Sequence, residues 1–189
     1  MKKLSVILIW CLSACQNHSR ETKKEEATNI FPVVSFFSGQ IHKVDSLKLP
    51  ITKYTIVNEK TDSVTITTDE FKLLANEFMK PDITGADNKK FYKESSFADQ
   101  SIPSITITYS TTFRDLEIQR IDVIINPDPV ADDKVQSIYM EKLSHNHDTS
   151  ILKKLFWRTD QNFQIITSNQ VGNHPATFNQ LKVEWSHED

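Results

Sequence analysis

His145-Asn146-His147-Asp148 is where side chains able to do chemistry cluster most clearly in this chain. Two imidazoles one residue apart, with Asp132 or Asp133 as a third ligand, make a nitrogen and carboxylate set that suits zinc or copper. The competing reading is a solvated turn in which Asp148 caps a following helix by accepting from its free N–H groups. Two histidines without a defined third ligand favour the turn. The expectation is therefore no resident metal or other cofactor, with His145 and His147 as the candidates should one bind. The large rings are the second feature. Phe37, Trp157 and Trp185 could line an apolar groove for an acyl chain, a peptide or a sugar. Most of the rings fall on inward phases and read as core, but Trp157, following Phe156 at the end of an expected helix, is placed at the surface.

Other chemistries find less support. The His-x-His-x-Asp-His motif of metallo-β-lactamase-like hydrolases needs Asp at 149 and His at 150, where this chain has Thr149 and Ser150. No G-x-S-x-G elbow marks a serine nucleophile. The carboxylate pairs Asp132-Asp133 and Glu25-Glu26 fall in a loop and a tether, which gives no basis for a glycosidase. With only Gly39, Gly85 and Gly172 the chain cannot build a glycine-rich phosphate loop. The reading is of a protein that is not an enzyme.

The N-terminus is more informative. Lys2 and Lys3 precede the apolar run Leu4–Leu12, which is far shorter than the roughly 20 residues a membrane span needs. This is the layout of a secretory signal. Leu12-Ser13-Ala14-Cys15 resembles the lipobox of bacterial lipoproteins. That resemblance implies a signal peptide over 1–14, cleavage before Cys15, and three acyl chains on Cys15, which is more than stable anchoring requires. Cys11 would leave with the signal, so no free thiol would remain to act as nucleophile, metal ligand or disulfide partner. Residues 15–30, almost without apolar side chains, read as the lipidated cysteine and a flexible tether, with a reach of roughly 20 Å. The inner-membrane retention signal of some Gram-negative bacteria has Asp after the cysteine. Gln16 stands there, which by the same resemblance favours the outer membrane. Lys23-Lys24-Glu25-Glu26 is similar in composition to a surface-export signal of some Bacteroidota, so the periplasmic face and the cell surface both stay open.

Residues 31–189 are the length of one ordinary domain. The chain is 38% apolar and its formal net charge is −3. Loss of Lys2 and Lys3 makes the charge −5, which argues against nucleic acid as a partner. Val33, Phe37, Ile41 and Val44 recur at helical spacing over 31–46. A hairpin follows with strands 51–58 and 63–67. Thr67 with Glu70 forms a capping box for a helix over 68–80, ended by Pro81. The stretch 82–95 is polar and carries no element. Alternation then predicts strands over 104–109, with Ile105, Ile107 and Tyr109 on one side, and over 118–125 and 135–143. Residues 147–157 read as a short helix capped near Asp148, and 163–169 and 181–185 as closing strands.

Such alternation marks an antiparallel sheet with one dry face. The fold class is α+β: a mainly antiparallel, curved sheet with two to three short helices on one face. The pattern of "FFSGQI", "DQSIPSITITY", "IQRIDVIINPDP" and "LFWRTDQNFQIIT" looks like lipoproteins of unassigned function from Bacteroidota. That resemblance brings a compartment and no catalytic residue. The expected function is a membrane-anchored envelope lipoprotein acting as a binding or interaction module. The alternatives are a carrier or sensor of an apolar ligand in an aromatic pocket, and a metal-binding protein using His145 and His147. The expected partners are the membrane, through Cys15, and an envelope protein or apolar ligand, with no nucleic acid or nucleotide.

Overall fold

The computed structural model describes residues 30–57, 60–99, 101–127 and 134–185. Cys15, the tether and the pair Asp132-Asp133 lie outside the described residues.

Nine antiparallel strands form one sheet. They are β1 (Thr52–Val57), β2 (Lys60–Thr65), β3 (Lys93–Asp99), β4 (Ser104–Ser110), β5 (Ile118–Asn126), β6 (Lys134–Asn146), β7 (Thr149–Arg158), β8 (Asn162–Val171) and β9 (Thr177–Glu184). Their order across the sheet is β2-β1-β9-β8-β7-β6-β5-β4-β3. Seven consecutive strands thus run as a meander, and the β1–β2 hairpin adds to the side of β9. Three helices accompany them: α1 (Val33–Leu47), α2 (Thr68–Ala75) and the single turn α3 (Ala86–Lys89). A 3-10 turn, Asn76–Phe78, continues α2.

The alternation of side chains decides which face is dry. Across the strands Ile107, Val123, Ile138, Trp157, Phe163 and Val183 stand in one registered row. All but Ile107 are buried. Phe37 of α1, Phe71 of α2 and Phe78 of the 3-10 turn meet this row, each within 5.0–6.5 Å of the Trp157 ring. Close-packed rings of this kind are the main stabilising term in such a core. Polar contacts hold the helices in place. The Phe31 N–H donates to Tyr109 Oη at 3.0 Å. The Asp160 N–H donates to Gln40 at 2.8 Å. Lys43 pairs with Asp160 at 2.7 Å. The Thr67 hydroxyl caps α2 by accepting from the Glu70 N–H. The reciprocal half of the capping box is replaced, because the Glu70 carboxylate pairs with Lys53.

Two expectations are corrected. Residues 147–157 do not form a helix. His147 and Asp148 make the turn of a hairpin, and β7 follows from Thr149 with ten registered partners in β6. The helix-like spacing of Ile151, Leu152 and Leu155 came from a strand that is apolar on both faces. Ile151 and Leu155 point inward, Leu152 and Phe156 outward, as a strand between two neighbours permits. Trp157 accordingly lies inward, with 0% of its surface exposed, and not at the surface. The polar stretch 82–95 also contains structure: α3 and the start of β3. β3 was missed because it is an edge strand exposed over most of its length, "KESSFAD", and edges are built from polar residues. Among the described residues no helix is long and apolar enough to cross a membrane.

Candidate functional site

The three ring candidates sit together. Trp157 and Trp185 are 5.2 Å apart between ring centroids, Trp157 and Phe37 also 5.2 Å. Phe71, Phe78 and Phe163 fill the remaining positions around them. These rings occupy the space between helices and sheet themselves. The Trp157 indole N–H is buried and meets no acceptor among the described residues. The Phe78 ring stands at 85° to the Trp157 ring with centroids 5.0 Å apart.

The histidine candidates are exposed at the β6–β7 hairpin end. His147 takes φ 47°, in the left-handed region that short polar residues and turns accept. The turn is held to the β8–β9 loop by the Gly172 N–H, which donates to the Asp148 carbonyl at 2.7 Å. Asp148 therefore serves a hairpin through its backbone and caps no helix. No group of three or more His, Cys, Asp or Glu side chains converges on a metal position among the described residues.

One buried charge was not singled out in the sequence. Lys142 follows Ile138 and Met140 in strict alternation and so points into the dry face, only 6% exposed. Its ammonium donates to Glu77 Oε1 at 2.7 Å, the Lys80 carbonyl at 2.7 Å and the Glu77 carbonyl at 3.1 Å. Glu117 lies 3.0 Å away. Lys153 pairs with the other Glu77 oxygen at 2.9 Å. Burial pushes the Glu77 carboxyl up, but hydrogen bonds and charge from Lys142 and Lys153 outweigh it and hold the group below its ordinary value. Burial, aided by the Glu117 charge, raises the nearby Tyr92 phenol to about 12, and its O–H donates to the Ile118 carbonyl at 2.9 Å. With every Lys142 donor used, the cluster is a latch for the 3-10 turn. The signal that could have found it was a lysine on an apolar phase.

The open concavity lies on the other face. β1, β9 and β8 bring Ile56, Gln180 and Ile166 into one registered row. Phe178, two residues before Gln180, projects from the same face and is 63% exposed. With Ala176, Thr177 and Asn179 they bound a hollow of about 510 Å³. Ile56, Ile166 and Phe178 supply its apolar surface, and the Gln180 amide between the two isoleucines supplies both a donor and an acceptor. Sequence reading missed it because Phe178 stands alone among polar residues and its neighbours come from three separate strands.

No known protein family matches this chain, and neither a curated protein nor a solved structure is similar to it.

Proposed function

We propose that this chain is an envelope lipoprotein, held to the outer membrane through acylated Cys15, that binds a segment of a partner polypeptide and catalyses no reaction. The hollow over Ile56, Ile166 and Phe178 carries the reading. Ile56, Ile166 and Phe178 accept apolar side chains, and the Gln180 amide between the two isoleucines offers the donor and acceptor that a peptide backbone pairs with. The helices pack on the opposite face of the sheet, and among the described residues no element covers this surface. The rings once considered for an apolar ligand pack on each other, which favours the module over the carrier. A tether of roughly 20 Å would let the domain search for partners near the membrane.

The test is site-specific photo-cross-linking in cells, with a benzophenone amino acid at position 178 and, as control, at the exposed helix position Leu73. The proposal expects a discrete protein adduct from position 178 and none from position 73. A glycan or lipid adduct, or no adduct at 178 beyond the control, overturns it.

A further inference from the structure

The sheet has two ends, β2 and β3, and their outer edges pair with nothing among the described residues. An unpaired edge is a template for another strand. We propose that β3 is the seam of a homodimer, in which two copies pair antiparallel about Ser96.

The argument is self-complementarity. Two antiparallel copies of Lys93–Asp99 centred on Ser96 set Lys93 against Asp99 of the second copy at both ends of the seam. Between them Glu94 meets Ala98, Ser95 meets Phe97, and Ser96 meets itself. Lys93, Ser95, Phe97 and Asp99 share one face of the strand, as alternation requires. Opposite charges directly across a strand pair stabilise it, and diagonal neighbours lie within reach of aromatic side chains. The two Phe97 rings, each 67% exposed in the single chain, become such diagonal neighbours. A shift by two residues keeps the faces but sets Lys93 against Phe97, or Asp99 against Ser95, and loses both ion pairs. Charge therefore selects one register.

The other edge does not offer this. In β2, Lys60 and Asp62 stand two residues apart, so they meet across a two-fold only in a three-residue overlap. A β2–β3 contact would be head-to-tail and would propagate, whereas the β3–β3 contact closes at two. The start of the described chain also lies close to the seam. Phe31 bonds to Tyr109, and Tyr109 is registered against Glu94 of β3. If Cys15 anchors the protein, both tethers leave near the same edge, and confinement to one membrane raises the effective concentration of the copies. The seam is separate from the hollow over Phe178, so either proposal can fail alone.

The test is disulfide trapping of the full chain in its own membrane, oxidised with diamide. Ser96 is exposed, and Ser96→Cys is nearly isosteric. Ser96→Cys is expected to give a covalent dimer that reductant dissolves. Glu94→Cys, which faces Ala98 in this register, and Ser63→Cys on β2 are expected to match the wild type. Adding Lys93→Glu to Ser96→Cys puts like charges at both ends and should cut trapping roughly fivefold or more. Trapping of Ser96→Cys no greater than of Ser63→Cys overturns the proposal, as does equal trapping of Ser96→Cys and Glu94→Cys.

Discussion

At the scale of single residues, two side chains make opposite kinds of contribution. Trp157 is an apolar anchor around which Trp185 and four phenylalanines pack. Its truncation to alanine leaves a cavity that neighbouring rings cannot fill without leaving their rotamers. Trp157→Ala should cost about 3–5 kcal/mol, read as a lower urea midpoint. Glu77 is the reverse case, a carboxylate held charged by two lysines. Its folded pKa lies below the unfolded value near 4.5. The stability it contributes is therefore complete above that value and is lost as pH falls through the folded pKa. Thermal unfolding of the wild type should drop in midpoint as pH is lowered below about 4.5, and Glu77→Gln should flatten that dependence. At pH 7 the same substitution should cost about 2–3 kcal/mol, because the buried Lys142 loses one of its two carboxylate partners and keeps only Glu117. A flat acid profile in the wild type would contradict this account of the cluster.

Elements differed in how openly the sequence announced them. α1 and α2 were legible from helical spacing, and Thr67 marked the start of α2 correctly. Thr67→Ala should cost about 1 kcal/mol, since it leaves the Glu70 N–H without its acceptor. The strands β4, β5 and β6 were legible because one face of each is wet, so alternation survives. β7 was not, because a strand between two neighbours can be apolar on both sides, and Ile151, Leu152 and Leu155 then mimic a helix. β3 was not, because an edge strand has few apolar residues to alternate. Phe37 and Trp185 stand in the core, as their inward phases implied, whereas the exposed Phe178 looked ordinary in a polar segment. Register across three strands makes it part of a hollow, and register is a tertiary property. Phe178→Ser should change stability by no more than about 0.5 kcal/mol. It should nevertheless abolish capture of the partner in cross-linking from a neighbouring position such as Gln180.

For the whole molecule, the two faces of the sheet divide the labour. One face carries α1, α2 and the aromatic core, and the opposite face carries the hollow over Ile56 and Ile166. The proposed anchor adds a third part, and Cys15→Ala should move the protein from the membrane to the soluble fraction, because cleavage and acylation both need that thiol. The measurement that tests the central claim most directly is native mass spectrometry of the protein released gently from its own membrane. The account predicts residues 15–189 carrying three acyl chains, together with the mass of a bound polypeptide of a different kind. A mass lacking the acyl chains, or an acylated monomer or dimer that holds no polypeptide of a different kind, would contradict it.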